Sequence, residues 1–182
     1  MTPERTEFRR FVEMLRQLAH PDQPDRAALA TLRRGLGKPP GTVVELYQYV
    51  VPYLPPEANE RQAWPFFVVA PLFGLHPIDW PADSTDGWRN FGASVGWLVR
   101  DTPERSNGIA ARFRRLLVAE REELPEQLRH LVTLLAPRRI PVAWEQLLRD
   151  LDRWDHPERL VQREWARAFV TSCGTWHSTS EG

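Results

Sequence analysis

Apolar side chains recur along this chain at intervals of three and four. Phe8, Phe11, Val12, Leu15 and Leu18 fall on one face, which predicts an amphipathic helix over residues 4–19. His20-Pro21-Asp22-Gln23-Pro24 breaks it. Asp25 is placed to cap a second helix, with Leu29 and Leu32 inward and Gly35 or Gly37 at its end. Lys38-Pro39-Pro40-Gly41 must be a loop. Thr42-Val43-Val44-Glu45 reads as a capping box for a helix that buries Leu46, Tyr47 and Val50 and is closed by Pro52, Pro55 and Pro56.

From Glu57 to Leu75 the periodicity fades, because the segment is apolar nearly all round after Arg61. Such a helix belongs in the middle of a bundle, and Pro65 and Pro71 are expected to kink or split it. Residues 76–87 read as a loop. A helix over 88–100 turns Phe91, Val95 and Leu98 inward, and its Gly92 and Gly96 admit a closely packed neighbour. Asp101 or Thr102, followed by Pro103, can start the next helix, which carries Ile109, Phe113, Leu116 and Leu117 and ends at Glu120 to Glu123. Residues 125–135, 142–154 and a last helix after Pro157 complete the series, with Arg138 and Arg139 at an exposed turn. Nothing alternates long enough for a strand, and no repeat of fixed period occurs. The expected fold is all-α, a compact bundle of about eight or nine helices. It forms one domain over 1–173, in two helical halves (about 1–101 and 102–173) sharing a core, with a flexible tail at 174–182.

Composition narrows the chemistry. Of 182 residues, 42% are hydrophobic and 26% charged, as in an ordinary soluble globule. The longest apolar run, Ala63 to Leu75, is too short and too broken by proline to span a bilayer, and the charged start lacks a signal-peptide stretch. A cytoplasmic protein with no membrane contact is expected. The single cysteine, Cys173, excludes a disulfide framework and a cysteine zinc site. At a helix C-terminus it is also poorly placed as a nucleophile, since the dipole there disfavours a thiolate. No two of His20, His76, His130, His156 and His177 are three or four apart, so no helical metal pair exists. His20, His76 and His156 precede prolines and read as turn or capping residues. The glycines at 35, 37 and 41 match neither dinucleotide nor P-loop patterns. No active site, metal or cofactor is indicated.

Net charge is zero, but it is unevenly spread: +3 over residues 1–40, −4 over 41–99, +3 over 100–140 and −2 over 141–182. Local clustering, not the sum, sets the field at a surface. Twenty-three arginines stand against the single Lys38, and the guanidinium fork suits phosphate. Arg33, Arg34 and Lys38 flank the first glycine loop. Arg112 and Arg115 share a helix face, Arg114 and Arg121 another, and Arg129, Arg138 and Arg139 follow in the next hairpin. Such a set can line a groove that tracks phosphates without reading bases. Salt bridges to Glu120, Glu122, Glu123 and Glu126 are the competing reading of the same cations.

The order of segments resembles a known family. Ala27 to Gly35 (AALATLRRG) is followed by Pro40, the Tyr47/Val50/Pro52 helix and Phe66 to Pro77 (FFVVAPLFGLHP). Arg112 to Leu117 (RFRRLL), Glu122-Glu123-Leu124, Leu128 to Leu135, Ile140 to Asp150, Trp154 and Trp165 to Phe169 come next, so the likeness spans most of residues 5–170. It is to the CasB-type small subunit of the type I-E CRISPR surveillance complex, Cascade. The resemblance implies an all-α, non-catalytic subunit without metal, beside a second copy of itself and other Cascade subunits. It implies sequence-independent contact with crRNA and the target or displaced DNA strand, stabilising the R-loop. The arginines of the LRRG and RFRRLL segments are carried over by position. The full expected groove is Arg33, Arg34, Lys38, Arg112, Arg115, Arg121, Arg129, Arg138 and Arg139. The alternative is a helical protein–protein adaptor without nucleic-acid contact, for which Trp80, Trp88 and Trp176 are candidate exposed aromatics.

Overall fold

The computed structural model describes residues 6–81 and 87–174. Helices dominate: α1 (Thr6–Leu18), α2 (Arg26–Arg33), the single turn α3 (Tyr47–Val50), α4 (Glu60–Leu75), α5 (Phe91–Asp101), α6 (Ser106–Val118), α7 (Leu124–Leu135), α8 (Trp144–Asp152) and α9 (Leu160–Cys173). Short 3₁₀ turns lead into or out of several of them, and the one β contact among the described residues is an isolated bridge between Asp79 and Val142. The all-α expectation holds. No helix among the described residues is long and apolar enough to cross a membrane.

α4 lies at the centre. Phe66, Val68, Val69, Ala70, Leu72 and Phe73 are all buried, so every face of the helix meets protein. It packs against α2 on one side and α7 and α8 on the other. Asn59 and Gln62 form a capping box at its start. Of the two outcomes expected of Pro65 and Pro71, a split does not occur: the helix continues through both. Burial of a large apolar side chain contributes about 1.5–3 kcal/mol. The surrounding shell therefore outweighs the roughly 3 kcal/mol that an interior proline costs. Around α4, Phe8 and Phe11 of α1 meet Phe66 edge-on or tilted at centroid distances of 5.3 and 5.1 Å, and Phe73 meets Trp144 at 5.5 Å.

The second close pairing is α5 on α9. A Cβ on Gly92 would lie 2.1 Å from the Trp165 carbonyl oxygen, and one on Gly96 would lie 2.7 Å from that of Phe169. Only glycine permits these backbones to touch, which is the close approach expected from their spacing. α9 also packs on α6, where Phe113 and Phe169 stack at 4.6 Å and the Arg159 guanidinium donates to the Leu117 carbonyl.

Several local expectations fail for identifiable reasons. Asp25 caps α2 as expected, accepting from the Ala28 amide at 2.8 Å. Thr42 and Glu45 do not form a capping box: the Thr42 hydroxyl donates to the Pro39 carbonyl, Glu45 pairs with Arg34, and Val44–Leu46 is a 3₁₀ turn. Tyr47 is exposed, its hydroxyl donating to the Gly41 carbonyl, while Leu46 and Val50 are buried as expected. Neither Asp101 nor Thr102 caps α6. The Thr102 hydroxyl instead donates back to Leu98, and a 3₁₀ turn over Pro103–Arg105 precedes the helix. α6 ends at Val118, before Glu120.

Candidate nucleic-acid interface

The expected cations occupy four neighbourhoods. α2 and the loop after it present the first. Arg33 reaches across to α4, its Nη1 donating to the Gly74 carbonyl at 3.0 Å. Arg34 pairs with Glu45 at 3.0 Å, both side chains at least half exposed. Lys38 stands in the turn that Gly37 and Gly41 make possible with positive φ, and it is exposed.

That turn forms one wall of a cleft of about 430 Å³. Lys38, Pro39 and Pro40 face Glu122, Pro125, Glu126 and Arg129 of the opposite wall, and Trp64, Phe67 and Pro71 of α4 make the floor. Two basic segments far apart in the chain therefore meet here. The cleft is not a plain cationic groove, however. Arg129 binds Glu126 through Nη2 at 2.5 Å and Nε at 3.0 Å, and His130 approaches the same carboxylate at 2.9 Å. The Arg129 hydrogen bonds hold the Glu126 carboxyl below its usual range, with smaller pulls from the Arg129 and His130 charges. Of the salt bridges expected in this region, the Arg129–Glu126 pair is present. Glu123 instead serves as a backbone cap, accepting from the Glu120 amide at 3.1 Å.

Arg121 lies behind the floor. Its guanidinium carbon is 4.5 Å from the centroid of the Trp64 ring, and Nε donates to Asp155 at 2.7 Å. Asp155 also accepts from Arg61, and the Arg121 side chain is only 14% exposed. One arginine thus joins the start of α7, α4 and the turn before α9.

α6 supplies the third neighbourhood. Ile109, Phe113 and Leu116 form its buried face, and Arg112, Arg114 and Arg115 project outward. The segment Ser106–Val118 contains no acidic residue. Arg112 donates to the carbonyl of Gly108 on its own helix at 3.3 Å. Arg114 and Arg115 make no ion pair among the described residues. The fourth neighbourhood is the turn after α7, at the far end of the α6–α7 hairpin. Arg138 pairs with Asp101 at 3.2 Å and lines a small recess with Arg105, Ile109 and Thr133. Arg139 has left-handed backbone, φ 52°, and is exposed.

Some residues differ from expectation. His76 is buried at the end of α4, and its Nε2 lies 2.6 Å from the Ile140 carbonyl. A carbonyl only accepts, so Nε2 carries the proton. Burial pushes the imidazole below its usual pKa against the pull of that carbonyl, and the Arg139 charge lowers it further. His76 is thus a core tie. Asp79 pairs with Arg16 at 2.6 Å. Trp80 is buried against Trp97 and Trp88 is half-buried, so neither is an exposed docking aromatic; Trp176 lies outside the described residues. The exposed large apolar residues among those described are Val44, Tyr47, Val51, Val118 and Val170, and the Tyr47 ring centroid lies 5.1 Å from that of Phe67 in the cleft floor. Burial raises the Cys173 thiol pKa. No cluster of His, Cys, Asp and Glu able to hold a metal occurs among the described residues.

These features define a class first: an all-helical body whose surface carries dispersed arginines and one apolar cleft. The model for CRISPR-associated protein Cse2 matches residues 28–169, and the chain belongs to that family. It is 32% identical over 163 residues to the CRISPR-associated protein Cse2 of Thermus thermophilus, covering 88% of each chain. The crystal structure of CasB from Thermus thermophilus is similar over 94% of this chain and 99% of that one, at 30% identity and TM-score 0.70. A chain of a CRISPR RNA-guided surveillance complex is similar over 93% of this chain and 94% of that one, at 26% identity and TM-score 0.74. Cse2/CasB is a subunit of the CRISPR surveillance complex.

Proposed function

We propose that this chain is a non-catalytic small subunit of a CRISPR RNA-guided surveillance complex that holds nucleic acid without sequence preference. Its partners are the other subunits, a second copy of itself, the crRNA and the target or displaced DNA strand. Guide pairing supplies sequence recognition there, and exchanging duplex for heteroduplex is nearly balanced in energy. A few phosphate contacts to the opened strands are enough to stabilise an R-loop. The contacts fall to Arg34, Lys38, Arg112, Arg115, Arg129, Arg138 and Arg139, with Arg33 and Arg121 fixing the helices beneath them.

The observation that carries this reading is the meeting of Lys38 and Arg129 across one cleft, beside an acid-free α6. A surface pair such as Arg34–Glu45 or Arg129–Glu126 contributes at most about 1 kcal/mol, so phosphate can displace the carboxylate. One observation favours the adaptor reading: the floor of the cleft is aromatic and apolar, and the exposed Tyr47 extends it onto the surface through its contact with Phe67.

Salt dependence separates the two. Fluorescence anisotropy with single-stranded DNA, single-stranded RNA and duplex DNA across a salt series should give binding that falls steeply with salt. Arg112→Ala with Arg115→Ala should keep the fold, since both side chains are exposed, and weaken that binding. Unchanged affinity in the double variant removes α6 from the site. Absence of salt-sensitive binding, both alone and in the assembled complex, leaves the adaptor.

A further inference from the structure

The cations of the α2–α7 cleft are largely answered by carboxylates, but those of the α6–α9 face are not. α9 adds Arg163 and Arg167, four apart and both exposed, and neither makes an ion pair among the described residues. The only acidic residue of α9, Glu164, is half-buried and close enough to Asp150 of α8 to push that carboxyl's pKa upward. It borders the arginines in sequence, one residue after Arg163 and three before Arg167, but forms no ion pair with either among the described residues.

The helix contacts put the two sets side by side. Phe113 stacks on Phe169, and Arg159 reaches Leu117, so α6 and α9 run in opposite senses. Arg114 is one turn before Leu117, and Arg163 is one turn after Arg159. Because the helices are antiparallel, both turns lead the same way from the shared contact, and Arg114 and Arg163 flank one seam. Arg112, Arg115 and Arg167 are also exposed on these two helices.

We infer that the α6–α9 face is a binding surface for a phosphodiester backbone, and that Arg163 and Arg167 are contact residues on it. Like charges that form no ion pair repel one another, and a polyanion laid along the seam removes that repulsion. The absence of an aromatic stacking platform among the exposed residues of this face suits a backbone contact indifferent to base identity. The inference rests on the proposed nucleic-acid function and extends it to a helix outside the expected groove.

The test uses the full chain, alone and assembled with its partner subunits, and a labelled mixed-sequence single strand as probe. Arg163→Gln with Arg167→Gln should weaken binding by roughly tenfold at low salt. Loss of two contacts should flatten the log–log salt slope by about 1.4, at about 0.7 per contact for single strands. Arg163→Lys with Arg167→Lys should restore most of the affinity, which a merely structural role would not allow. An unchanged thermal midpoint in the glutamine variant separates lost contact from lost folding. Unaltered affinity and slope in that variant, with binding lost in Lys38→Gln plus Arg129→Gln, would overturn the inference and leave the proposed function standing. No binding by the unsubstituted chain in either setting would overturn both.

Discussion

The cleft between the Lys38 turn and α7, and the face made by α6 and α9, carry the same residue type in opposite electrostatic settings. In the cleft, Arg129 is held by Glu126, and Arg121 behind it by Asp155. On the α6–α9 face, Arg114, Arg115, Arg163 and Arg167 meet no carboxylate among the described residues. Arginine number therefore does not measure binding capacity. A paired guanidinium gains only the difference between phosphate and its present partner, whereas an unpaired one gains the whole contact. The cleft adds an apolar floor, whereas among the described residues α6 and α9 expose Val118 and Val170 as separate large apolar side chains. One surface suits a protein neighbour as well as a phosphate; the other suits a polyanion.

The strongest way to break this comparison is to remove the support of one surface alone. Gly92→Leu drives a side chain into the Trp165 backbone and separates α5 from α9. We expect a loss of about 4 kcal/mol or more in chemical denaturation. The cleft, built on α4 and α7, touches neither helix at that point. Retention of wild-type stability would mean that α9 does not pack as described.

Asp150 reports on the inner side of α9. It is 1% exposed, accepts from Trp165 Nε1 at 2.6 Å and from Gln146 at 2.8 Å, and burial pushes its pKa up to about 6. A folded-state pKa above the unfolded one means that the protonated acid favours the fold. Its contribution is complete below about pH 4 and is lost as pH rises through about 6. A shift of two units corresponds to about 3 kcal/mol. Asp150→Asn should abolish this increment, so the stability difference between wild type and variant should change between pH 4 and pH 7. A difference independent of pH would contradict the buried carboxyl.

Arg121→Met is expected to cost about 2 kcal/mol, because it removes the nearer of the two arginine partners of Asp155 and the cation over Trp64. A thermal melt unaltered by this change would show Arg121 to be free for ligand. The smallest effect belongs to Glu164→Gln. Carbon-detected NMR titration should place the Asp150 midpoint lower in this variant, because a repelling charge is gone. An unmoved midpoint would show that the Glu164 charge does not act on Asp150.

The helices are legible in the sequence because their apolar spacing survives any detail of packing: α1, α2 and α7 lie close to where the periodicity puts them. Gly92 and Gly96 are legible too, since a pair of small residues one turn apart marks a close approach whatever the partner. Local polar signals are less reliable. The Thr42 to Glu45 pattern loses its capping role because Glu45 finds Arg34, eleven residues away. Neighbouring prolines and loop composition make His76 and Trp80 look exposed, yet the Ile140 carbonyl and Trp97 bury them. The candidate interface is the least legible part. Whether an arginine is free depends on carboxylates remote in sequence, as with Arg121 and Asp155 or Arg138 and Asp101. No periodicity reports those pairings, and Arg163 and Arg167 are hidden because their block of sequence is acidic overall.

The most direct measurement is arginine side-chain NMR of the labelled chain titrated with single-stranded nucleic acid. The Nε–H signals of Arg114, Arg115, Arg163 and Arg167 are expected to shift and to exchange more slowly with water as the strand binds. That of Arg121, fixed on Asp155, should stay where it is. Shifts confined to Arg121 and Arg129, with the α6 and α9 signals unmoved, would contradict the assignment of the α6–α9 face as the phosphate surface.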